Sequence, residues 1–322
     1  MRVEVTAGGS AVGRIVYGAL FTLVLPLLLW AWARGTNEVV GLPALRAPAV
    51  GAALLALGLG LTAWGMVALM RWGDGLPMNA YPTRRHVVRG PYRIVGHPIY
   101  VGFGLACAGA AIASGSQSGL WLVTPAVILA MVALVVGYEG PALRERFDEA
   151  AAYRPLLSLP GPEPGVPTGW ERVSVIMLVF LPWLLAFEGV VLLGVPPDGV
   201  EAFLPFEREW PVLVWTEYLY ALVYPFVGLV PLLIPDRRTL RAFAIRGLLA
   251  TGIVTLLYLT IPLVAPPRPF DGGGLAGEML SWERSMAHTV ASFPSFHVIW
   301  TLLAAEAWSR GAGGWRRIWV TV

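Results

Sequence analysis

Gly90-Pro91-Tyr92-Arg93-Ile94-Val95-Gly96-His97-Pro98-Ile99-Tyr100-Val101-Gly102 carries the chain from an arginine-rich loop into an apolar run that lasts to Ser114. Between Arg93 and Glu139 there is no Asp, Glu, Lys or Arg, and the only punctuation is the tight turn Gly115-Ser116-Gln117-Ser118. Crossing a hydrocarbon layer of about 30 Å takes roughly 20 apolar residues at about 1.5 Å rise each. Residues 98 to 114 and 119 to 138 therefore predict a helical hairpin that leaves one membrane face and returns to it. The hairpin brings His97, Tyr100 and Glu139 together at one mouth.

The same pattern extends in both directions. Apolar runs at 15–33, 49–70, 98–114, 119–138, 173–194, 211–234, 247–265 and 294–308 predict about eight transmembrane helices, and a ninth begins at Ile318. The chain reads as an all-α polytopic integral membrane protein. Composition agrees: 57% of the 322 residues are hydrophobic, 13% are charged, and the mean hydropathy of +0.67 exceeds what a soluble core of this size could bury. Arg2 and Arg14 precede the first run. Its apolar stretch is long for a signal peptide and lacks a small-x-small cleavage site, so it reads as a retained helix.

The net charge is +3 and every one of the 23 basic residues is arginine. These arginines sit in loops between apolar runs, a topology signal that leaves no nucleic-acid partner to invoke. Loops 71–97, 139–172, 235–246 and 309–317 hold most of them, whereas 115–118 has none and 195–210 carries Asp198, Glu201, Glu207 and Glu209 against Arg208. The positive-inside rule then puts the N-terminus and the first set of loops in the cytoplasm, of a bacterial plasma membrane by expectation, and segment 266–293 outside. Five prolines between Pro155 and Pro167 predict an extended linker dividing residues 1–158 from 159–322. Cys107 is the only cysteine, and no His or carboxylate cluster has metal-ligand spacing, so no metal site is predicted.

The residue types at the first mouth suit a cationic sulfonium ligand with an amino-acid tail. Glu139, Tyr92 and Tyr100 could face its positive groups, and Arg93 its carboxylate. Taken alone, the spacing equally allows His97 to be a helix-capping interfacial residue and Glu139 to mark the point where a helix meets water. Leu143, Phe147 and Ala150 predict a further amphipathic interfacial helix.

Gly73-Asp74-Gly75, Arg84-Arg85, Arg89-Gly90-Pro91-Tyr92-Arg93 and His97-Pro98-x-Tyr100-x-Gly102 resemble the isoprenylcysteine carboxyl methyltransferase and phospholipid methyltransferase group. Glu139, Leu143, Phe147 and Tyr153 are similar to its downstream signature. The resemblance implies a methyltransferase domain over residues 1–158, with S-adenosylmethionine bound by Tyr92, Arg93, His97, Pro98, Tyr100 and Glu139. The methyl acceptor would be a membrane lipid or lipidated substrate. Two positions depart from the pattern: Gly96 replaces an arginine or similar polar residue, and Gly140 replaces a second glutamate.

A second constellation pairs Arg268-Pro269 with Phe293-Pro294-Ser295-Phe296-His297. A guanidinium, a hydroxyl and an imidazole at a helix start can converge on a phosphate; they can equally be an interfacial cation and a helix cap. The two segments resemble the first two motifs of the type 2 phosphatidic acid phosphatase superfamily. Phe296 in place of glycine, and Pro262 in place of lysine, are closer to its inositol phosphorylceramide synthase-like branch. The resemblance implies a lipid phosphate bound by Arg268 and Ser295, with His297 protonating the leaving group. The family's third motif, with its nucleophilic histidine, is absent: no histidine follows His297, and His288 is a poor substitute. The chain is therefore expected to be a fragment ending inside the ninth span and inactive in phosphoryl transfer. A lipid-modifying enzyme with two modules is the expected function, and a non-catalytic membrane scaffold of the same descent is the alternative. Glu188, Glu217 and Glu306 lie within or beside apolar spans, where unpaired charge is costly; Glu188 and Glu217 are read either as lining a headgroup pocket or as solvated interfacial residues.

Overall fold

The structure is a computed structural model that describes residues 11–75, 83–147, 150, 153–195, 198–261, 263–286 and 290–311. Arg2, Pro262, His288 and the span beginning at Ile318 lie outside the described residues. The chain divides into two compact units, Met1–Leu156 and Leu157–Val322.

The first unit is built from α1 (Ile15–Gly35), α2 (Pro48–Trp72), the single turn α3 (Pro91–Ile94), α4 (Pro98–Ser114) and α5 (Gly119–Arg146). The second contains α6 (Gly169–Leu193), α7 (Val214–Leu233), α8 (Arg237–Thr260), α9 (Gly274–Met286) and α10 (Phe296–Gly311). Six of these helices are long and apolar enough to cross a membrane: α1, α2, α5, α6, α7 and α8. At 17 residues α4 is shorter but equally apolar, and α10 has 16. Leu129, Leu185 and Leu249 are each at least 60% exposed, which water would penalise and lipid does not. The protein is an all-α, multi-pass membrane protein.

Three predicted boundaries move. The fourth span does not end at Tyr138-Glu139 but continues to Arg146, taking in two π-helical turns, Gly119–Val123 and Val135–Glu139. The predicted interfacial helix through Leu143, Phe147 and Ala150 does not form separately: Leu143 belongs to α5, and Phe147 is extended at φ −131, ψ 110. The seventh span starts at Arg237 rather than 247 and stops at Thr260. Asp236 caps it by accepting the Thr239 N–H at 2.9 Å, so the arginines read as loop residues are helical.

In the first unit α2 and α4 run antiparallel with their backbones in close approach. A Cβ on Gly58 would lie 2.5 Å from the Ala106 N, and one on Gly109 would lie 2.3 Å from the Leu55 N. Small residues permit this approach between membrane helices, where dispersion rather than water drives association. In the second unit aromatic side chains fill the core. Trp300 on α10 is 3% exposed, packs edge-on against Phe180 and Trp183, and leaves no room for a Cβ on Gly247. The proline-rich segment is pinned to the start of α8: Arg241 donates to the Pro160 carbonyl at 2.7 Å and Arg238 to that of Pro162 at 3.3 Å. Two short strands, Val200–Glu201 and Leu263–Val264, pair in parallel.

Candidate functional site

The sharp turn at Gly90 (φ 58) leads into α3, with Pro91 at its first position. A Cβ on Gly90 would lie 2.8 Å from the Trp72 ring, so the turn seats closely on the end of α2. His97 occupies the N-cap position of α4 but makes no side-chain cap. Its Nδ1 lies 3.3 Å from Glu139 Oε1, and its ring stacks on Tyr100 with centroids 5.9 Å apart. The capping alternative for His97 is thereby replaced by a carboxylate contact.

Tyr100 donates its hydroxyl to Glu139 Oε2 at 2.6 Å, so both carboxylate oxygens of Glu139 are held, one by the N-cap residue of α4 and one by its first turn. Glu139 itself is presented by the π turn Val135–Glu139, in which the Gly140 N–H donates to the Val135 carbonyl. Single π turns inside α-helices add one residue and re-aim the side chains beside them. A Cβ on Gly140 would lie 2.9 Å from that same carbonyl oxygen, so glycine suits the turn. At Gly96 the nearest obstacle is the Pro155 ring at 3.7 Å, which leaves room for a larger side chain.

These residues border a cavity of about 450 Å³. Tyr92, His97, Tyr100 and Glu139 line it, and the segment after α5 closes it: Tyr153 donates to the Tyr92 carbonyl at 3.0 Å, and the Leu156 N–H to that of Arg93 at 2.8 Å. Burial raises the Tyr92 hydroxyl above the ordinary phenol range, and Glu139 and Tyr100 add to the shift, so it stays a donor. Burial likewise raises Tyr153, partly offset by the Arg93 cation. Pro98 is buried at the first turn of α4; Arg93 lies within α3 and contributes its carbonyl rather than a cavity wall.

Arg144, Arg146, Arg154 and His86 also line the cavity. Sequence reading counted these arginines as topology markers. The signal available was the spacing of Glu139, Leu143 and Arg146, three to four residues apart and so on one helical face. Nothing local singles out His86, which packs against Phe147 and Tyr153 at 5.7 and 5.6 Å. One carboxylate among several arginines, beside phenol rings, can receive a ligand carrying both a cation and a carboxylate.

The second constellation is held differently. Arg268 donates to the carbonyls of Glu207 and Trp210 at 2.7 and 2.9 Å, and its own carbonyl accepts from Arg284. His297, in the first turn of α10, has Nε2 2.9 Å from the Tyr224 hydroxyl and Nδ1 3.3 Å from that of Tyr220. Among the described residues no hydrogen bond joins Arg268 to Ser295 or His297. The tyrosines were not foreseen, although their i, i+4 spacing on one helix was a usable signal. Glu306 is paired with Arg246 and Arg310, which accounts for a carboxylate in an apolar helix. No group of three or more metal-binding side chains occurs among the described residues.

Comparison with protein families matches residues 47–150 to the phospholipid methyltransferase family. No curated protein and no solved structure matches the chain. The family match runs from the residue before α2 to just past α5 and includes Tyr92, His97, Tyr100 and Glu139, whereas Tyr153, Arg154 and Pro155 of the cavity wall lie beyond it.

Proposed function

We propose that the first unit is an S-adenosylmethionine-dependent methyltransferase acting on a membrane lipid or lipidated substrate. The observation that carries this reading is Glu139, gripped by Tyr100 and His97 on the wall of a 450 Å³ cavity, all three residues lying in the segment that matches phospholipid methyltransferases. The residues present suit the cofactor: Glu139 with the Tyr92 and Tyr100 rings for its positive groups, Arg144 and Arg154 for its carboxylate. When bound, S-adenosylmethionine supplies an electrophilic methyl group. The chain's part is to orient the acceptor and keep water away, which can account for much of a rate enhancement. His97 or Glu139 takes the proton of an amine or thiol acceptor, whereas a carboxylate acceptor needs no base.

Calorimetric titration of the purified protein with S-adenosylhomocysteine tests the proposal. Saturable heat is expected, and silence at millimolar ligand removes the methyltransferase reading. The arginine distribution supports a cytoplasmic N-terminus and a cytoplasmic Glu139 cavity, with Ser295 on the other face. Accessibility labelling that found Tyr92 and Ser295 on the same side would remove that topology.

For the second unit the proposal is a lipid phosphatase- or phosphotransferase-like module that binds lipid phosphate. It is supported by Arg268-Pro269 and by Ser295 and His297 at the amino end of α10. The scaffold alternative draws on Gly96 and Gly140; alanine at His97 or Glu139 separates it from an enzyme, because only an enzyme loses methyl transfer.

A further inference from the structure

The first unit holds a second, larger cavity at the other end of α4, about 710 Å³ in volume, within the range of small-ligand sites. The Glu139 cavity meets α4 at its first turn, whereas this one meets it along Phe103, Cys107 and Ser114 to Ser116. Its body is apolar, with Leu29 from α1, Leu55 and Leu59 from α2, and Phe103 from α4. Its polar groups gather at one end, where Arg34 lies in the last turn of α1, Asn37 and Glu38 follow that helix, and Ser114 and Ser116 surround the end of α4.

That end is built rather than incidental. The Asn37 carboxamide oxygen accepts from the Ser116 hydroxyl at 3.0 Å and from the Ser118 N–H at 3.3 Å. The Thr36 and Ser118 hydroxyls are 2.5 Å apart, and Gly115 (φ 67) turns the chain against the Arg46 stem. Arg34 and Glu38 therefore stand on a fixed rim, one helical turn apart in sequence. They form no ion pair with each other or with another described residue, and the Arg34 guanidinium lies over the Trp30 ring at 4.8 Å. Two opposite charges that face one cavity without neutralising each other are complementary to a ligand bearing both signs.

We infer that this cavity binds a zwitterionic phospholipid, its acyl chain along Leu55, Leu59 and Phe103, its phosphate at Arg34 and its ammonium group at Glu38. Being formed away from Glu139, the site is separate from methyl transfer and does not depend on that reading.

Cys107 lines the cavity and is the only cysteine in the sequence, so it reports occupancy directly. The full chain is placed in nanodiscs of phosphatidylcholine or of phosphatidylglycerol with identical acyl chains, and alkylation of Cys107 by N-ethylmaleimide is followed by intact mass. Alkylation is expected to be about tenfold slower in phosphatidylcholine, the scale of one charge-assisted contact. In Arg34→Gln and Glu38→Gln, both at exposed positions, the difference between the lipids should shrink toward none. Equal rates in the two lipids for the unaltered protein overturn the inference. So does a difference that survives both substitutions, because the selectivity then lies elsewhere.

Discussion

His97 and His297 each stand at the start of an apolar helix, yet their surroundings diverge. His97 contacts a carboxylate on the wall of an open cavity, and Tyr100 holds the other oxygen of that carboxylate. His297 has a tyrosine hydroxyl at each ring nitrogen and packs among Phe296, Trp183 and Trp300 around a space of only 120 Å³. The first imidazole faces a volume that a ligand can enter. The second is already satisfied by its own fold, so a ligand must displace a tyrosine to reach it. Similar motif chemistry in sequence thus becomes a receptive site in one unit and a packed clasp in the other.

The contrast can be pressed hardest through the aromatic setting of His297. Trp300→Ala should lower stability by about 3–5 kcal/mol, read as a fall in unfolding temperature in detergent. A loss below about 1 kcal/mol would mean that the aromatic cluster is not the core it resembles. Next in size is Glu139→Gln, which keeps shape but removes the charge held by Tyr100 and His97. Affinity for S-adenosylhomocysteine should drop roughly ten- to a hundredfold, the scale of losing a charge-assisted bond. Unchanged affinity would leave the His97 mouth no more receptive than the His297 clasp.

His297→Phe keeps an aromatic ring in place and deletes both hydrogen bonds to the tyrosines. About 1 kcal/mol of stability per lost hydrogen bond is expected, with no change in S-adenosylhomocysteine affinity; a change in affinity would contradict the division of roles. The smallest effect belongs to Gly96→Arg, a larger side chain in open space. Its stability should stay within about 0.5 kcal/mol of the unaltered protein in the same melting experiment.

Much of the membrane architecture could be read directly, because a run without charge such as 98–114 or 49–70 has few alternatives to a helix in lipid. Helix ends were less legible where a charged segment stayed helical. At Arg237–Arg246 the cap on Asp236 and the packing of Leu240 and Phe243 outweighed the polar composition. The grouping of His97, Tyr100 and Glu139 followed from hairpin geometry alone. The arginines of the cavity wall and the tyrosines around His297 did not. Charge pattern sorts loops by membrane face without saying which side chains turn inward, and a tyrosine pair in an apolar run carries no mark of its partner. The Arg34–Glu38 rim was hidden for a similar reason: what distinguishes it is that the two charges do not pair, a property of coordinates rather than of composition.

The π turn at Val135–Glu139 makes α5 a helix with two phases. One extra residue per turn displaces everything after it by about 100° around the axis relative to an uninterrupted α-helix. Glu139 sits at the seam, so the lipid-facing side before it and the arginine-bearing side after it are set by a single inserted position. Shortening the turn by one residue would rotate Glu139, together with Arg144 and Arg146 behind it, away from His97 and Tyr100.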